Sequence, residues 1–75
     1  MNLSEVKLNT NCIVVAVNLE DEKTKIRLME LGIYESVQIR IIKRSLLKKT
    51  LLVVFNYSCF TLKDNLARAI EVKYA

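Results

Sequence analysis

The only glycine of the chain, Gly32, sits in the stretch Lys25-Ile26-Arg27-Leu28-Met29-Glu30-Leu31-Gly32-Ile33. A run of good helix formers that meets a glycine stops there. Glycine enters the left-handed conformation past the last helical turn without a Cβ penalty. With Gly32 just beyond the cap, Ile33 and Leu28 become the apolar pair that closes such an ending. The stretch predicts a short amphipathic helix from Asp21 to Leu31. Asp21 is its expected N-cap, with Thr24 three residues on, and Asn18 is an earlier candidate cap. Glu20, Asp21 and Glu22 fall where the helix dipole is positive. Leu28 and Leu31 are expected to be buried, with Ile26 and Met29 on a neighbouring flank and Met29 as core filler.

The remainder reads as strand and turn around this helix. Leu3, Val6 and Leu8 give one apolar face to an irregular lead-in, and Asn9-Thr10-Asn11 is a turn cluster. Cys12 to Val17 is an apolar, β-branched run, the mark of a buried strand. After a turn at Tyr34-Glu35-Ser36, Val37, Ile39 and Ile41 alternate with Gln38 and Arg40. That is the period of a half-buried strand, placed over Ser36–Arg44. Ile42 breaks the alternation and marks a bend or a second buried face. Lys43 to Lys49 reads as a basic loop carrying Leu46 and Leu47. Thr50 to Phe55 is apolar on both faces, so it is central or lies under a partner. Asn56-Tyr57-Ser58 is a turn, and Cys59 to Lys63 returns as a hairpin arm with Phe60 and Leu62 inward. Asp64 to Arg68 is one helical turn capped by Asp64. Ala69 to Lys73 is a last strand with Ile70 and Val72 inward. Short strands at this spacing predict a single, mainly β domain over residues 1–75. It is a small closed or nearly closed barrel of about five strands, because closure removes sticky edges.

Composition sharpens the expectation. Of the 75 residues, 52% are hydrophobic and the mean hydropathy is +0.22. A chain this short buries only about 60% of the surface its unfolded form exposes. Surplus apolar surface is therefore expected, with Leu47 and Leu51 part of it, and with it a docking partner or a homo-oligomer. The net charge of +4 is unevenly spread. No acidic residue lies between Glu35 and Asp64, a span that holds Arg40, Lys43, Arg44, Lys48, Lys49 and Lys63. The candidate partner-binding residues are Arg40, Lys43, Arg44, Leu46, Leu47, Lys48 and Lys49. A solvated, lysine-protected edge is the plain alternative. A docking face for an acidic protein, an anionic membrane or nucleic acid is the functional one. No aromatic residue interleaves the cations from Arg40 to Lys49, which speaks against stacking on bases.

Other chemistry is absent. There is no histidine, and one glycine cannot build a phosphate-cradling loop. Cys12 and Cys59 have no CxxC partner and read as buried, reduced thiols. No catalytic residue, metal ligand, cofactor or small-molecule substrate is expected, and an enzyme is the least favoured class. No apolar run reaches 18 residues, and the N-terminus lacks the pattern of a signal peptide. The expected location is cytoplasmic, with recruitment to the inner face of the membrane through a partner.

Three segments carry a resemblance over almost the whole chain. Leu3 and Val6 precede a strand ending at Val17. Arg27-Leu28-Met29-Glu30-Leu31-Gly32-Ile33 fits the pattern RL-x-x-LG-[LIM]. Leu62-Lys63, Ala67, Ile70 and Val72 fit LR-x-x-x-A-x-x-I-x-V. In these the chain resembles the FeoA family, the SH3-like barrels of bacterial ferrous iron transport, a domain that also ends iron- and manganese-dependent repressors. The resemblance implies an SH3-like fold in which Leu28, Leu31, Gly32, Leu62, Ala67 and Ile70 are structural. It also implies a non-enzymatic module docking on the FeoB membrane transporter, which has a GTP-binding domain. A nucleic-acid-binding barrel and a stand-alone domain of the repressor type are the alternatives. The start at Met1, with no DNA-binding helical region, reads as a freestanding chain. The chain departs from the family at Asn9 and Ser36 and near Tyr57, where the family has glycine. It departs again at Leu46–Thr50, in place of a Pro/Gly-rich loop, and at Lys63 in place of arginine.

Overall fold

A computed structural model describes all residues, 1–75. A 3-10 turn at Leu3–Glu5 leads into β1 (Asn11–Val17), α1 (Glu22–Leu31), β2 (Gln38–Ser45), β3 (Thr50–Phe55), β4 (Ser58–Lys63), α2 (Asp64–Ala67) and β5 (Ile70–Tyr74). The strands form one antiparallel sheet in the order β4-β3-β2-β1-β5. In a flat sheet its two edges would stand about 19 Å apart. Yet α2, whose four residues rise only about 6 Å, joins one edge to the other. The sheet must therefore roll up, and the fold is the expected small SH3-like barrel, nearly closed. Register shifts at Val15 in β1 and Ile42 in β2 supply the bends. The broken alternation at Ile42 is thus a bulge.

The helix forms and stops as its chemistry dictates. Asp21 accepts from the Lys23 amide at 3.1 Å and from the Thr24 hydroxyl at 2.7 Å. At the other end Gly32 is left-handed, at φ 106°. The Ile33 amide donates to the Leu28 carbonyl at 2.8 Å and the Gly32 amide to Met29 at 3.0 Å. Ile33 is fully buried and Leu28 nearly so. A Cβ on Gly32 would collide with the Phe55 ring.

Burial corrects four expectations. Leu31 is 54% exposed and Met29 52%. The cap folds the chain beneath the helix, so Ile33 takes the core position expected of Leu31, and α1 contributes only Leu28 to the core. The barrel is plugged instead by Leu3 and Val6 of the N-terminal segment and by Ala67 of α2, while Leu8 stays exposed. Cys12 is buried, which raises its thiol pKa. Cys59 is exposed, because Phe60 and Leu62 take the inward positions of β4 and its neighbours alternate outward. Leu51 is a core residue, not surplus surface.

The glycine-for-polar departures keep glycine's geometry. Asn9 (φ 61°), Ser36 (φ 76°) and Tyr57 (φ 64°) are left-handed, as are Asn56 (φ 48°) and Lys49 (φ 52°). Asn56 and Tyr57 form the two-residue turn between β3 and β4, with Phe55 opposite Ser58. Positive φ at both central residues matches the twist of the flanking strands.

Two tests follow from this backbone. Gly32→Ala should lower unfolding free energy by at least about 2 kcal/mol, from left-handed strain plus the Phe55 collision. Ser36→Gly should raise it by about 0.5–1 kcal/mol, the strain relieved less the added chain entropy. Denaturant titration reads both. The Thr24 hydroxyl, and then the Lys23 amide, hold the Asp21 carboxyl below its ordinary range. A depressed folded-state pKa contributes stability above the unfolded pKa and loses it as pH falls. The stability gap between the native chain and Asp21→Asn should therefore close on acidification.

Candidate functional site

β2 runs from Gln38 to Ser45, one residue past the expected Arg44, so of the basic loop expected over Lys43 to Lys49 only residues 46–49 form the turn. The paired strands present the turn as a firm projection. The Lys48 amide donates to the Ser45 hydroxyl at 3.3 Å, and the Asp64 amide donates to the Lys49 carbonyl at 2.8 Å. On this projection Leu46 is 84% exposed and Leu47 98%. Two adjacent leucines held out at a tied turn do nothing for the barrel's core.

The expected cations divide into two groups. Arg40, Lys43, Lys48 and Lys49 are exposed and free of ion pairs. Arg44 is half-buried and held by the fold. Its Nη2 donates to the carbonyls of Ser4 and Val6, both at 2.9 Å, and its Nε is buried without a partner. Arg44 thus straps the N-terminal plug to β2. The fixed fork of a guanidinium suits this bridging.

The structure adds cations that sequence reasoning left out of the site. Thr50 pairs with Lys63, which brings β4's last residue beside the turn. An open groove of about 740 Å³ then lies between the turn and α2, with Lys48, Lys49, Lys63 and Arg68 on its walls. Asp64 is also there, but it is neutralised by the Arg68 Nε at 2.8 Å. This ion pair also explains why Asp64 does not cap α2. It is the first helical residue, and its carboxylate reaches forward one turn. Counting outward from the Asn56-Tyr57 turn gives the Thr50–Lys63 pairing and would have placed Lys63 correctly.

No three of the chain's Cys, Asp and Glu side chains come together as a metal-ligand group. No helix is long and apolar enough to cross a membrane. Fold and surface together define a small SH3-like barrel with a projecting apolar and cationic hairpin. The FeoA domain model matches residues 1–74, and the chain belongs to the FeoA family, which is associated with ferrous iron transport. The FeoA protein from Chlorobium tepidum is similar, at TM-score 0.88 and 27% identity, covering 99% of this chain and 70% of that one. So is Stenotrophomonas maltophilia FeoA complexed with zinc, at TM-score 0.82 and 28% identity, covering 97% and 89%. It is an SH3 domain protein put forward as a bacterial ferrous iron transport activating factor. A manganese-dependent transcriptional repressor shares the fold, at TM-score 0.91 and 17% identity, and this chain spans 36% of it. Among curated proteins no sequence matches.

The division of the cations is testable by denaturation. Arg44→Ala should lower stability by about 2 kcal/mol or more, because it removes two charge-assisted bonds to otherwise unpaired carbonyls. Arg44→Lys should recover only part of that. Lys48→Ala and Lys49→Ala should stay within about 0.5 kcal/mol of the native chain.

Proposed function

We propose that this chain is a non-enzymatic accessory protein of bacterial ferrous iron transport, working in the cytoplasm and docking on the cytosolic part of a FeoB-type transporter. Family membership supports the process. The observation that carries the docking is the tied turn with two almost fully exposed leucines among unpaired cations. Exposed apolar surface on a small domain marks interaction sites. Arg40, Lys43, Lys48 and Lys49 steer the encounter with an acidic face, while apolar contact supplies the affinity. Arg44 is already engaged with the Ser4 and Val6 carbonyls and serves this face by holding β2 in place.

The test is capture of the transporter from solubilised native membranes on the immobilised chain. The transporter should be retained by the native chain and lost with a Leu46→Ser, Leu47→Ser double variant, whose fold is untouched because both side chains are already in water. Moderate salt should weaken capture only partly. Retention of nucleic acid instead, falling steeply with salt, would favour a DNA- or RNA-binding barrel and contradict the proposal.

A further inference from the structure

We infer that the tip of the β2–β3 hairpin is also a lipid anchor: Leu46 and Leu47 enter the headgroup boundary of an anionic bilayer while Lys48, Lys49 and Lys63 rest on its phosphates. The inference extends the transporter reading, since a membrane is then within reach. The lipid contact itself needs no transporter.

Shape points to lipid at the tip. Leu46 and Leu47 are neighbours on a turn that projects between paired strands, a knob rather than a patch. A knob needs a matching cavity in a protein, but acyl chains close around any apolar projection. The turn is also held before binding, by the Ser45 hydroxyl and by the Asp64 amide on the Lys49 carbonyl. Little ordering remains to be done at the surface.

Charge points to an anionic leaflet. Stable attachment of a small apolar insertion takes a second signal, and a basic cluster is the usual one. Lys48 and Lys49 share the turn with the leucines, and strand pairing places Lys63 beside them. The one acid nearby, Asp64, already holds Arg68. No acidic residue of the span 36–63 opposes the approach. Arg40 and Lys43 sit farther back on β2; the two leucines rest in lipid in the free chain and leave it for the transporter when it is engaged, so the two contacts are successive.

The chain contains no tryptophan, so Leu47→Trp provides a single reporter. The full chain is mixed with transporter-free vesicles of equal parts phosphatidylglycerol and phosphatidylcholine, and separately with phosphatidylcholine alone. The chain should sediment with the anionic vesicles only. The reporter should shift to the blue there and be quenched by bromine carried on the acyl chains. Lys48→Gln with Lys49→Gln should weaken partitioning on the order of 30-fold, taking about 1 kcal/mol for each charge near the surface. The Leu46→Ser, Leu47→Ser variant should abolish quenching. Any of three results overturns the inference: no sedimentation with anionic vesicles, binding that is indifferent to the two leucines, or a leucine-dependent self-association that forms without vesicles. If vesicles fail while transporter capture persists, the lipid contact alone is wrong. If vesicles bind while capture fails, the transporter docking is wrong and the anchor stands.

Discussion

The left-handed turn at Gly32 is the constraint on which the other placements depend. Two amides donate backward into the last turn of α1 and satisfy carbonyls the helix would leave open. The same reversal drives Ile33 into the core and lets Phe55 lie where a Cβ would otherwise stand. Phe55 in turn packs edge-on to Phe60 at a centroid distance of 5.3 Å, which ties the end of the β3–β4 hairpin to the helix ending. One residue with no side chain therefore fixes where the helix stops, where β2 begins and how close the far hairpin comes. Left-handed strain is tolerated at Asn9, Ser36 and Tyr57 because those turns are open to solvent. At Gly32 it is not, because the space is taken.

Much of this was legible in the residues. Gly32, Leu28 and Ile33 formed the expected cap, the alternation through Val37, Ile39 and Ile41 marked β2, and Ile70 and Val72 face inward in β5 as the spacing implied. What escaped were effects of long-range packing. Whether Leu31 or Ile33 fills a core position depends on the direction of the chain after the cap, which periodicity does not contain. Leu51 looks like Leu47 in composition, yet strand pairing sends one inward and leaves the other on the turn. Arg44 carries the same charge as Lys43, but only its partners, the carbonyls of Ser4 and Val6 some forty residues earlier, reveal a structural role.

The candidate site was half legible for the same reason. Leu46, Leu47, Lys48 and Lys49 are contiguous, and a local stretch of apolar and basic residues in a turn is visible by inspection. Lys63 and Arg68 join them only through sheet register and α2. The result is a division of labour within one hairpin. Its inward residues, Ile39, Ile41, Leu51 and Val53, hold the barrel, while the Leu46 and Leu47 side chains of its turn pack against nothing and are free to meet another surface. The α1 helix presents a second exposed apolar set in Ile26, Met29 and Leu31, and this face is the competing place for a partner.

Hydrogen–deuterium exchange of the chain, alone and with the detergent-solubilised transporter, separates the two faces most directly. Added protection confined to residues 43–50, with α1 unchanged, is the result expected if the hairpin is the docking element. Protection along α1 at Ile26–Leu31 with the hairpin turn still exchanging freely would contradict it.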